Sequence, residues 1–257
     1  MSKLGNAIYE LHTIESLARK DQWINRMHPL VKLVLTLLYI VVVVSFSKYD
    51  LAHLLLMGVY PIVLFMLGEI SFRESFRHLR VILPLVCIVG IFNPFFDRQI
   101  LFFIGGFGMT GGMVSMAALI VKGCYSVFAS YLLIATTTIE QICYALRRLH
   151  VPAVFVTQML LTYRYVSVLI SEANRMMQAY SLRAPRQKGI HFKAWGSFVG
   201  QLLLRSMDRA GVVYESMTLR GYQGEFRYAV KGRCGWKDYV YLTGWCVVFV
   251  GIRLVTV

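Results

Sequence analysis

Five stretches of sixteen to twenty-five residues pass with at most one charged side chain each, and such runs have few folded forms open to them. Leu30–Phe46 holds only Lys32, Leu51–Leu67 and Val81–Phe96 hold none, Gly112–Thr136 holds only Lys122, and Tyr239–Val257 holds only Arg253. A helix needs roughly 17–25 mostly apolar residues to cross the hydrocarbon of a bilayer. Inside that layer every backbone N–H and C=O must find an internal partner, which leaves helices and closed barrels. The fold expected is an all-α integral membrane protein with about five transmembrane helices. Pro84 and Pro94 fall inside the third run, where neighbouring helices can satisfy the freed carbonyls. Lys32 lies two residues into the first span, from where its stem is expected to snorkel to the interface.

Composition agrees. Apolar residues make up 57% of the 257 and charged ones 16%, against about 45–50% and 25% in soluble domains. A disordered chain is excluded and a soluble enzyme disfavoured. The net charge of +14, from 27 Lys+Arg and 13 Asp+Glu, suits membrane orientation and anionic headgroups better than nucleic acid. Lys3, Arg19, Lys20 and Arg26 precede the first span, and Arg73, Arg77 and Arg80 follow the second. Residues 139–238 carry fifteen Lys/Arg against six Asp/Glu, whereas the remaining two connections hold Lys48 and Arg98 alone. Basic loops stay inside, so the N-terminus is expected in the cytoplasm and the C-terminus outside. The divisions expected are 1–138 (four spans), 139–238 (cytoplasmic coupling helices) and 239–257 (last span). The first 27 residues lack an apolar core and do not read as a cleaved signal. The glycine-rich loop 97–112 fits either a segment dipping back against the helices or a β-turn at the outer surface.

The cytoplasmic insert carries the information. Thr138-Ile139-Glu140-Gln141 has the form of a capping box. It opens a short helix with Ile139, Ile142, Leu146 and Leu149 on one face, suited to the inner membrane surface. Val151-Pro152 ends it, and Pro152 fits the first position of a helix running to about Ser181. A second long helix is expected from Phe192 to Arg220-Gly221, with Gly221 suited to a left-handed C-terminal position. The two ends match class by class: Ser181-Leu182-Arg183-Ala184 and Thr218-Leu219-Arg220-Gly221. Taken singly, a basic residue in a last turn is ordinary helix-end chemistry, favoured by roughly 0.3–1 kcal/mol. Two matched copies in one insert point further. Arginine pairs with carboxylates bidentately, a small neighbour lets a partner backbone approach, and two equal plugs fit a two-fold partner.

These residues carry a resemblance. Arg164-Tyr165, Glu172, Arg175 and Ala179, with the two Arg-small pairs, resemble the transmembrane T component of energy-coupling factor ABC transporters. So do His28-Pro29-Leu30-Val31-Lys32-Leu33 and the stretch from Thr136-Thr137-Thr138 to Pro152. The resemblance runs from about His28 to Gly221. Asn93-Pro94-Phe95-Phe96-Asp97-Arg98 and Gly111-Gly112 are most similar to cobalt-type (CbiQ-like) members. It implies a non-catalytic coupling subunit in a prokaryotic cell membrane, transmitting ATPase motion to a separate small substrate-binding membrane protein. In that family two Ala-Arg-Gly-like motifs dock into grooves on two ABC-type ATPase subunits, identical or not. Here they correspond to Leu182-Arg183-Ala184 and Leu219-Arg220-Gly221, with Leu in place of Ala and Ala184 in place of the first Gly. No cofactor is implied in this chain, ATP and Mg belonging to the ATPases, and cobalt is the cargo implied, with vitamins the alternative.

Other chemistry finds no support in the residues. Gly106 to Gly111 has the glycine spacing of a Walker A loop, but Gly112 stands where its lysine belongs. HExxH, GxSxG and CxxC do not occur, and the six histidines are scattered, none pairing with another at i+3 or i+4. The five cysteines are odd in number, and the twelve methionines read as gap-fillers in apolar helices. Lys122, deep in the fourth span, is a candidate ion relay. A stand-alone membrane enzyme would need a convergent nucleophile, base or metal cluster, and a secondary transporter would show a hydropathy repeat.

Overall fold

The computed structural model describes residues 18, 23–47, 50–68, 80, 84, 86–88, 90, 100–104, 107–185, 189–224, 226 and 235–254. Their contacts divide the chain into two compact units, one within 15–138 and 231–257, the other within 139–230 and 1–14. The helices of the first are α1 (Trp23–Arg26), α2 (Pro29–Ser45), α3 (Leu51–Leu56), α4 (Val59–Gly68), α5 (Gly111–Thr136) and α9 (Trp236–Leu254). Those of the second are α6 (Ile139–Arg148), α7 (Ala153–Arg183) and α8 (Phe192–Leu219). The third expected span, Val81–Phe96, lies largely outside the described residues, as does the Asn93–Arg98 motif.

In the first unit α2 is apolar on every face, as a helix in lipid should be. Leu35, Tyr39 and Val43 recur every four residues and are buried, while Leu37, Val41 and Val44 form the opposite, exposed stripe. The outward stripe continues on the second span as Leu55, Val59, Ile62 and Met66. α5 packs against α2, α3 and α4, and α9 closes on α2 and α3. Four aromatic rings fill the middle: Tyr60 stands 4.5 Å from Tyr39, 4.9 Å from Trp245 and 5.3 Å from Phe249.

The second span is two helical pieces with a turn at Met57-Gly58. Pro61 explains the break, since it has no N–H to give the carbonyl of Met57 four residues back. Tyr39 Oη supplies that donor at 3.0 Å. Gly58 sits where Tyr125 comes closest: a Cβ there would lie 2.6 Å from Tyr125 Oη.

Lys32 departs from the expectation of snorkelling. It is 6% exposed, and its ammonium donates to Thr136 O at 2.8 Å and Asn25 O at 3.3 Å. Both acceptors lie at helix C-termini, where carbonyls lack intrahelical donors and the helix dipole favours a cation. The two orphan carbonyls are the physical reason, since they offset the cost of desolvating the ammonium. A stem this close to two orphan carbonyls reaches them more readily than it reaches water.

Lys122 does the same at the other end of α2, donating to Phe46 O at 2.6 Å and Val44 O at 3.1 Å. Arg253 adds a bond to Ser45 O at 3.3 Å and covers the Phe46 ring. At the start of α2, Asp238 accepts from His28 N at 3.1 Å and from Gly235 N at 2.9 Å, joining the last helix to the first.

The glycine-rich loop is an antiparallel hairpin of β1 (Ile100–Ile104) and β2 (Phe107–Thr110), with Ile104 opposite Phe107 and an irregularity between Ile100 and Phe102. Pairing its backbone groups with each other is what lets so apolar a loop keep a chain reversal. It leads directly into α5.

Candidate functional site

The second unit is built on α7, thirty-one residues long, with α6 packed on one side and α8 on another. On α6 Cys143 and Ala145 are buried, while the expected apolar face Ile139, Ile142 and Leu146 stays partly exposed. Burial, and then the neighbouring Glu140, pushes the Cys143 thiol up, so it stays protonated. Pro152 stands at the N-cap of α7, one position earlier than expected, with φ −55° and ψ 138°.

α7 and α8 form an antiparallel pair. His191 N–H, at the start of α8, donates to Tyr180 Oη near the end of α7 at 3.4 Å. Midway, Glu172 of α7 accepts from the Arg205 guanidinium of α8, and its second oxygen lies 3.8 Å from Arg175. Beyond that pair the helices part around a cleft of about 580 Å³ between the 154–169 half of α7 and the 206–217 half of α8.

Arg183 is the last residue of α7 and Arg220 caps α8. Eleven residues separate Glu172 from Arg183 and fifteen separate Arg205 from Arg220. At about 1.5 Å per residue these arms measure roughly 16 and 22 Å and point in opposite directions, leaving the arginines roughly 30–40 Å apart. Both are exposed, and among the described residues neither guanidinium has a hydrogen-bond or salt-bridge partner. Leu182 and Leu219, their neighbours, are 82% and 89% exposed. Each tip therefore offers an apolar side chain and a cation together, beside a small residue, which suits an acid-rimmed groove on another protein.

The two ends, matched in sequence, are capped differently. Gly221 adopts φ +81°, its N–H bonds Thr218 O at 2.9 Å, and Tyr222 N–H bonds Met217 O at 3.0 Å. That is a Schellman closure, which needs a residue tolerant of the left-handed region. Ala184 takes φ −130°, bonds Tyr180 O at 3.0 Å, and is followed by Pro185, which stops the helix instead. The same tip chemistry is thus reached by two backbone routes.

The sequence reading missed the Lys32 and Lys122 caps and the Glu172–Arg205 tie. A signal existed for the first two: a lysine inside an apolar run must find carbonyls, and the polar ends Thr136-Thr137 and Ser45-Phe46-Ser47 were within sight. Among the described residues no three His, Cys, Asp or Glu side chains converge to hold a metal ion.

Among the described residues three helices are long and apolar enough to cross a membrane: Leu51–Gly68, taken through its turn, Gly111–Thr136 and Ala153–Arg183, with Pro29–Ser45 a shorter apolar helix. Relatives of known name are membrane transport proteins. The cobalt transport protein CbiQ of Rhodobacter capsulatus is 33% identical over 119 residues, 45% of this chain and 48% of that protein. The nickel permease LarQ of Lactiplantibacillus plantarum is 25% identical over 115 residues, 45% of this chain and 42% of the permease. The matched stretch thus spans about half the length of these relatives. The family described as cobalt transport protein, CbiQ, matches residues 20–230 as a whole, spans and insert alike, and the chain belongs to that family.

Proposed function

We propose that this chain is the transmembrane coupling subunit of an ATP-driven importer of the energy-coupling factor type. One observation carries the reading: two exposed Leu-Arg-small tips, at opposite ends of one antiparallel helix pair and roughly 30–40 Å apart, suit two equivalent acidic grooves on a pair of ABC-type ATPases. The ATPases, alike or different, hold ATP and Mg. A small membrane protein holds the substrate. Cobalt is the proposed cargo, motivated by the family and by relatives named for cobalt and nickel. On this reading metal selection belongs to the substrate-binding partner. The chain sits in a prokaryotic cell membrane with its N-terminus and the 139–238 insert in the cytoplasm and its C-terminus outside.

Arg183→Ala and Arg220→Ala test the coupling role in the assembled transporter. A hydrogen-bonded charge pair lost at an interface costs on the order of 2–5 kcal/mol, so each variant should retain the ATPases about thirtyfold less tightly or worse. Cobalt uptake should fall with it, and Arg→Lys should restore only part, since lysine lacks the planar fork. Normal ATPase retention and uptake by both alanine variants would leave the arginines as helix-end charges. Vitamin uptake without metal transport would overturn the cargo alone. For orientation, thiol labelling should reach Ser47→Cys from outside and Gly189→Cys only from the cytoplasm; the reverse pattern inverts the topology.

A further inference from the structure

The cleft between α7 and α8 plays no part in the coupling reading. Its volume, about 580 Å³, is enough for one long acyl chain, and its walls are mostly apolar, from Leu161, Val168, Val213 and Met217. One charged side chain lines it, Arg209. The two acids on the same half of α8, Asp208 and Glu215, are not among the lining residues. Among the described residues Arg209 has no hydrogen-bond or salt-bridge partner. From Ala153 to Leu169 the helix forming one wall is mostly apolar, its one charge being Arg164, which suits a helix lying against the membrane surface. An apolar slot of this size on a membrane protein, lined by a single uncompensated guanidinium, matches the two parts of a phospholipid: a hydrocarbon tail and a phosphate. An apolar peptide would fill the slot without answering the charge, and a free phosphate would answer the charge and leave the slot empty.

We propose that this cleft binds one anionic phospholipid, with an acyl chain between α7 and α8 and its phosphate on Arg209. The lipid would then wedge the two helices apart at a set distance, a role independent of which proteins meet the tips.

The purified full chain in mild detergent, titrated with dioleoyl phosphatidylglycerol, dioleoyl phosphatidylcholine or inorganic phosphate and followed by native mass spectrometry, tests this. A charged residue near an anionic lipid surface contributes about fivefold to tenfold in binding. The expected result is one phosphatidylglycerol per chain, preferred about fivefold to tenfold over phosphatidylcholine, with no retention of phosphate alone. Arg209→Gln should erase the headgroup preference while leaving the weaker tail binding. Leu161→Trp, which fills the slot, should reduce both lipids together, and circular dichroism of both variants should show unchanged helix content. A preference that survives Arg209→Gln overturns the headgroup assignment. Lipid binding unaffected by Leu161→Trp, or retention of phosphate equal to that of the lipid, overturns the site. None of these outcomes depends on the ATPases, so failure here leaves the coupling role standing, and failure there leaves the lipid site standing.

Discussion

Replacing Lys32 with methionine removes the tie between the start of α2 and the C-terminal ends of α1 and α5 while keeping most of the stem's volume. The parent side chain makes one short bond to Thr136 O at 2.8 Å and one longer bond to Asn25 O at 3.3 Å. Hydrogen bonds from charged groups contribute about 1.5–3 kcal/mol each when well formed, and a stranded buried carbonyl costs about 1–3 kcal/mol. Against this, methionine relieves the desolvation of a buried ammonium, which amounts to several kcal/mol before its partners compensate it. The difference should be a net loss of about 2 kcal/mol. At roughly 2–4 °C per kcal/mol for a chain of this size, Tm should fall by about 4–8 °C.

Lys32→Arg is the informative control. It keeps the donors, and a cavity of about 20 Å³ lined by Lys32, Thr136 and Leu132 can take part of the added bulk, so its loss should stay under about 1 kcal/mol. Thermal or SDS-titrated unfolding of the purified full chain reads both. If Lys32→Met unfolds at the parent's midpoint or above it, the ammonium is a net burden and the carbonyl tie holds nothing together.

Lys122→Met should destabilise by about 1–3 kcal/mol, because it strands carbonyls at the end of α2, whereas Lys122→Arg should preserve both stability and uptake. Uptake lost in Lys122→Arg with stability intact would identify an ion relay instead of a cap. Gly58→Ala should cost about 1–2 kcal/mol by forcing Tyr125 aside, partly offset by alanine's better helix propensity. Tyr125→Phe should recover most of that loss in a double-mutant cycle, and equal losses in single and double variants would show that the crowding lies elsewhere.

The helical membrane fold was legible because a bilayer imposes one length and one polarity on its helices, and Leu51–Leu67 or Gly112–Thr136 meet both on inspection. What hydropathy cannot show is a break inside an apolar run. The turn at Met57-Gly58 follows from Pro61, but the Tyr39 hydroxyl and the Tyr60 N–H that together keep the carbonyl of Met57 paired are placed only by the fold. The tips Arg183 and Arg220 could be placed at helix ends because Pro185 and Gly221 punctuate the chain there. The difference between their caps could not, since Ala184 and Gly221 read alike as small residues and part only in φ. The Glu172–Arg205 tie joins residues thirty-three apart, and nothing local announces such a pairing.

The two lysine caps also act as a gauge. Lys32 to Phe46 and Lys122 to Thr136 are each fourteen residues, so α2 and α5 are pinned antiparallel with their cationic levels about 21 Å apart. The seventeen residues of α2 reach only about 26 Å, short of the roughly 30 Å of an average hydrocarbon core. A helix fixed at both ends by charge cannot lengthen itself by sliding or tilting alone, so the surrounding lipid must come to it. In a bilayer of average thickness this face should therefore carry a mismatch of a few ångströms, taken up by local thinning or by its flanking residues at fractions of a kcal/mol per ångström. The protein thereby becomes sensitive to acyl-chain length, settling most easily where the membrane is thin.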